Sequence, residues 1–184
     1  RRQRQMCIRD RLYRYASYLI LNFKPKKQSL FLKKKFKKLK YSRLKKINLH
    51  SPLISEHSAI LAKKSEIRKI LKKFQVDFSK KNKNCCIEGR DISTKILPNS
   101  DLKFFFKCNL NIAALRRYKE LKKKNPNIKK KDVKKALKIR NLLDTKRKNS
   151  PLLRHPESIE IDSGKLTKQA MLKKMSKYVE RLLN

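Results

Sequence analysis

Glycine occurs at only two of 184 positions, Gly89 and Gly164. Loops that depend on several glycines are therefore excluded, and each glycine marks a place where the backbone needs positive φ or a close approach. Gly89 follows a short apolar run, Cys85-Cys86-Ile87, and precedes Arg90 and Asp91; a second apolar run spans Leu102 to Phe106. Two buried strands are expected here. The charged residues after the first place Arg90 and Asp91 at a strand's carboxyl edge, where open α/β sheets bind ligands.

A chain of 184 residues predicts one domain with one core. Its 39% hydrophobic content is low for a globular protein but too high for wholesale disorder. The formal net charge of +40 would attract any polyanion, nucleic acid first among them. Lys, Asn and Ile are all heavily used and the basic residues spread along the whole chain, which points to A/T-rich codon usage as the main source of that charge. Cys7, Cys85, Cys86 and Cys108 show no CxxC spacing and no paired His, so they read as reduced, buried side chains and not as metal ligands. No apolar run approaches a membrane span. Arg14 and Tyr18 interrupt the one stretch that mimics a signal peptide, so a cytoplasmic location and no membrane partner are expected.

Along the chain, residues 24–48 are dense in lysine, with Phe31, Phe36, Leu39, Tyr41 and Leu44 interleaved. Such a pattern binds single-stranded nucleic acid by backbone attraction and base stacking. It equally fits lysines that simply face water, and that second reading is preferred. From Leu49 to Leu71 an amphipathic pattern predicts helix, as it does over 110–124 with Ile112, Leu115, Tyr118 and Leu121 on the buried face. Asn125-Pro126-Asn127 breaks that helix, and Asp132 is placed to cap the next. There Arg140, Asp144 and Arg147 stand at i, i+4 and i+7 on one face; spacing alone favours a surface ion-pair ladder. Ser158 to Asp162 predicts the last strand and Thr167 to Leu182 a closing helix packed through Met171, Met175, Tyr178, Val179 and Leu182.

Taken together, Gly89-Arg90-Asp91, Thr94, Pro98, Leu102-Lys103 and Phe105, followed by Ala114 and Arg116-Arg117, resemble the GRDxGTxVFPxAxLKxFL and RAxRR motifs of bacterial cytidylate kinases. Arg140, Asp144, Arg147 and Pro151-Leu152 resemble the lid motif RDxxDxxR of that family, and Tyr13-Arg14 its YR segment. The resemblance implies an α/β fold of the P-loop type, a three-layer α/β/α arrangement with a parallel sheet as in nucleoside monophosphate kinases, with the first strand and P-loop absent. No GxxxxGK loop followed by Ser or Thr is present, since two glycines do not suffice for one. Residues 1–11 look foreign to the family. Residues 12–80 then correspond to the rest of an N-terminal core helix and the monophosphate-binding insert, 81–125 to core strands and helix, 126–152 to the lid and 153–184 to the last strand and helix.

The resemblance also assigns roles. Arg14, Arg90 and Arg147 match residues that contact the CMP phosphate, Arg140 and Asp144 match residues at the sugar, and Arg68 and Asp91 match groups that read the base. Arg140 and Arg147 would also face the transferring phosphoryl group. The implied reaction moves phosphate from ATP to CMP or dCMP with Mg²⁺, on a monomer, and without specific nucleic-acid recognition. Without its P-loop the chain is expected to be an impaired enzyme. The sequence departs from the family at Ser93 (usually Gly), Ala59 (Ser, with Ser58 beside it), His50 (Arg) and Asn141 (Asp). If position 93 needs positive φ, Ser would be strained there. The rival readings are a basic, ribosome-associated RNA-binding protein and a fragment without a stable fold.

Overall fold

The computed structural model describes residues 6–49, 51–82, 84–123, 125–146 and 151–183. Where length alone predicts one core, the chain divides into two compact units, residues 1–92 and 93–184. Each is built around a pair of parallel strands. Parallel pairing needs a crossover connection, and this is the α/β signature expected from the sequence.

In the first unit, β1 (Met6–Ile8) pairs with β2 (Cys86–Glu88), and everything between them is helical: α1 (Arg9–Phe23), α2 (Gln28–Lys37), a 3₁₀ segment (Tyr41–Lys46), α3 (Pro52–Leu61) and α4 (Ser65–Lys81). Met6 to Arg11, foreign in the sequence reading, here forms β1 and the opening turn of α1. The expected helix from Leu49 to Leu71 is two helices. Pro52 sits in the first turn of α3 and the Ser51 hydroxyl accepts from the Ile54 N–H, so α3 has its own capped start. It stops at Ala62, before α4 begins.

The apolar faces of these helices meet in one core. Leu12, Ala16, Leu19 and Ile20 of α1 pack with Leu32 and Phe36 of α2, Leu61 of α3, and Ile67, Leu71 and Phe78 of α4. Along α4 the buried positions are Ile67, Leu71, Gln75 and Phe78, the repeat of one helical face. Gln75 takes a position that the pattern reserves for an apolar side chain.

In the second unit, β3 (Phe104–Lys107) pairs with β4 (Ile159–Asp162), and α5 (Leu110–Lys122), α6 (Lys130–Lys146) and α7 (Lys168–Leu183) complete it. The Asn109 side chain caps α5 by accepting from the Asn111 N–H. Asp132 lies inside the first turn of α6, not before it, so it complements the helix dipole and does not cap. Buried apolar side chains here are few: Ile96, Ala114, Val133 and Ile161. Ile112 and Leu115, expected in the core, are each more than a third exposed, and α7 has no fully buried residue. The cysteines also depart from expectation. Cys86 is exposed, while Cys85 and Cys108 are half-buried free thiols.

Candidate functional site

Asp91 lies three residues beyond the carboxyl end of β2, with its side chain only 1% exposed. The turn that holds it needs Gly89. A Cβ there would lie 2.9 Å from Ile92 Cδ1 and 3.1 Å from Arg9 Cβ. Close approach, not positive φ, is what this glycine provides.

Arg68 reaches Asp91 from the first turns of α4. Its Nη1 donates to the Ala62 carbonyl at the end of α3 (3.1 Å) and its Nη2 to Asp91 Oδ2 (3.1 Å). The break between α3 and α4 therefore aims the guanidinium, because the carbonyl it uses is freed where α3 ends. A buried carboxylate held by a guanidinium is the partnership that a low-dielectric site requires. On the other carboxylate oxygen, Oδ1, sits Arg9 Nη1. Arg9 Nη2 also donates to the Tyr13 hydroxyl (3.2 Å), and the guanidinium carbon lies 5.5 Å from that ring's centre.

Arg14 is in the same unit, braced by three partners. Its Nε donates to Asp10 Oδ2 (2.8 Å), and its Nη1 to the Ser55 hydroxyl (2.7 Å) and the Leu49 carbonyl (3.2 Å). Ser55 lies in the first turn of α3, so α3 orients Arg14 at its start and Arg68 at its end. Arg11 fastens the same region by donating to the Leu44 carbonyl at 2.7 Å. Arg90 is half-buried in the turn beside Asp91.

Ser58 is buried and its hydroxyl donates to the Ser55 carbonyl (2.7 Å), so it is used inside α3. Ser93 does not take positive φ; among described non-glycine residues only Lys24 and Asn84 do, and the conditional strain at Ser93 does not arise. The Thr94 hydroxyl is shielded, without a hydrogen-bond partner among the described residues. His50 lies outside the described residues.

In the second unit, Arg140 and Asp144 stand one turn apart on α6, Arg140 exposed and Asp144 half-buried, as their spacing predicts. The Asp144 carbonyl accepts from the Leu152 N–H at 2.7 Å, which ties α6 to the Pro151-Leu152 pair of the lid motif. Arg147 lies outside the described residues.

Of the residues predicted from sequence, the structure thus joins Arg68 and Asp91 directly and supports Arg14 from the same short helix. Arg9 and Ser55 were not anticipated. Arg9 falls among residues 1–11, which look foreign in sequence although the family match begins at residue 5, and a serine in a helix's first turn carries no functional signal of its own. A cavity of about 310 Å³ opens between the starts of α2 and α4, and none of its lining residues, Gln28, Ser29 and Lys64 to Ile67, is a predicted site residue. Among the described residues no cluster of three or more His, Cys, Asp or Glu side chains gathers to hold a metal ion. No described helix is long and apolar enough to cross a membrane.

The sequence model of one family, described as "Cytidylate kinase", matches residues 5–181. Among curated proteins, the cytidylate kinase of Caldanaerobacter subterraneus subsp. tengcongensis is 35% identical over 133 residues, covering 72% of this chain and 59% of that protein. The cytidylate kinase of Clostridium botulinum (strain Okra / Type B1) is 34% identical, covering 73% and 61% respectively. That of Mesomycoplasma hyopneumoniae (strain 7448) is 34% identical, covering 72% and 58%. The chain spans about three fifths of the length of these relatives.

Proposed function

The chain belongs to the cytidylate kinase family, and from that premise we propose that its first unit carries the base-reading part of a CMP or dCMP acceptor site. The observation that carries this is the buried Arg68–Asp91 couple at a strand's carboxyl end. Cytosine presents an N4 amine donor beside the N3 and O2 acceptors. A carboxylate accepts from the amine while a guanidinium donates to the ring's acceptors. Uracil reverses the pattern at positions 3 and 4, setting donor against donor and acceptor against acceptor. Each such mismatch costs about 1–3 kcal/mol when buried. Cytosine is the favoured ring.

In the same proposal, Arg14 and Arg90 hold the nucleotide's phosphate. Arg14 suits this because its bonds to Asp10, Ser55 and Leu49 use only Nε and Nη1 of a planar group with five N–H donors. In the second unit, Arg140 and Asp144 are assigned to the sugar and Arg147 to the phosphate. The family reaction uses ATP as donor and Mg²⁺ to neutralise charge. No general base is required, because the acceptor is already a phosphate oxygen; positioning and charge neutralisation supply the catalysis. Lacking a glycine-rich phosphate loop, these 184 residues alone should transfer phosphate poorly.

Calorimetric titration of the chain with CMP and UMP tests the base assignment. CMP should bind tighter, and Asp91→Asn should erase the difference. Unchanged selectivity in that variant rejects the role of Asp91. Substantial ATP-to-CMP turnover by the 184-residue chain would refute the statement about the donor site.

A further inference from the structure

The lysine-dense segment, residues 24–48, contributes none of the residues assigned to the acceptor site. From Arg11 to Ser55 the sequence contains no Asp or Glu, and nine of the seventeen residues from Lys24 to Lys40 are lysine. All nine are exposed. Helix α2 buries Leu32 and Phe36 against the core and turns Lys33, Lys34, Lys35 and Lys37 outward. Lys33 with Lys37, and Lys34 with Lys38, are like-charge pairs at i, i+4, which oppose helix formation. With no acid nearby in sequence, a multivalent anion is the partner that would relieve them.

An aromatic pair adjoins this cationic face. Phe23, at the end of α1, is 58% exposed and its ring lies 5.6 Å from that of Phe31 in α2. Lys35 Nζ stands over both rings, 5.0 Å from Phe23 and 5.5 Å from Phe31. An exposed aromatic ring beside a row of ammonium groups provides the two elements that single-stranded nucleic acid uses: a stacking platform and phosphate contacts.

We propose that α2 and the end of α1 form a docking surface for single-stranded RNA, with Lys33, Lys34 and Lys37 on the phosphates and Phe23 stacking a base. Neither kind of contact reads sequence, so the surface discriminates by strandedness and not by base order. This is independent of the acceptor-site assignment.

Fluorescence anisotropy of the full chain with a labelled oligouridylate of about twelve nucleotides, across about 50 to 200 mM salt, tests it. Replacing Lys33, Lys34 and Lys37 by Gln should weaken binding at least about tenfold and flatten the log–log salt slope by about 2, three single-strand contacts being lost. The same replacement at Lys173, Lys174 and Lys177, equally exposed on α7, should weaken it far less. Phe23→Ala should cost at least about fivefold. Equal losses from the two triple variants, or no saturable binding, would overturn the surface by showing that the charge acts diffusely. If Phe23→Ala leaves affinity unchanged, or inorganic polyphosphate binds as tightly as RNA, the nucleic-acid assignment is overturned.

Discussion

Arg68 Nη2 lies 3.1 Å from Asp91 Oδ2 although 23 residues separate the two in sequence, and the carboxylate it meets is almost fully buried. Removing one partner of such a couple strands the other charge away from water. Asp91→Ala should therefore cost about 3–5 kcal/mol of folding stability. Asp91→Asn keeps the shape and one acceptor and should cost less. Urea denaturation measures both; a loss below about 1 kcal/mol for the alanine variant would show that the pair is solvated or its partner easily re-accommodated.

Gln75 is fully buried on the core face of α4, and neither end of its amide has a hydrogen-bond partner among the described residues. An unpaired buried amide costs about 1–3 kcal/mol. Gln75→Met, close in volume and without the amide, should raise the thermal midpoint. A lower midpoint would reveal that the amide is satisfied, for instance by an internal water.

Leu71 touches the same core with no exposed surface. Leu71→Ala should destabilise the first unit by about 2–5 kcal/mol, the sum of lost transfer energy and cavity formation. Leu172→Ala, at a residue 56% exposed on α7, should stay within about 0.5 kcal/mol of the parent. Equal effects at the two sites would contradict the burial difference.

Two ion pairs flank the β3–β4 strands. Lys103 Nζ donates to Glu157 and Lys107 Nζ to Glu160, and these bonds lower both carboxyl pKa values. A carboxylate whose folded pKa is depressed contributes stability above its unfolded pKa, near 4.3, and loses that contribution as pH falls through the folded value. The thermal midpoint should thus drop below about pH 4 in the parent protein. The drop should be shallower when both residues are Gln. Parallel pH profiles for the two proteins would show that the pairs add nothing. Lys107 is raised by the same bond, so its share is lost only in strong alkali.

Local chemistry carried far in this chain. The Gly89-Arg90-Asp91 turn after a strand, the break at Asn125-Pro126, and the strand from Ile159 to Asp162 follow from residue types and short-range spacing, and the structure has them. The family was equally accessible, because its motifs are continuous runs. The long helix expected from Leu49 to Leu71 failed for a local reason also: apolar periodicity persists across the break at Ala62, while Ser51 and Pro52 start α3 independently of it. The cores of α5 and α7 failed for a different reason. A 3.6-residue apolar stripe states that a face can be buried, not that a neighbour covers it.

Sequence alone determined the family, the scarcity of flexible turns, the excess positive charge and the identity of Arg68 and Asp91 as candidates, since all of these are written in residue type and order. Only the tertiary structure decided that Arg68 meets Asp91, that the ends of α3 orient Arg14 and Arg68, that Gln75 is enclosed, and that Lys35 covers two aromatic rings. Each of these joins groups distant in sequence or fixes the burial of a single side chain. Such pairings are selected by packing and desolvation of the whole unit, which no window of neighbouring residues contains.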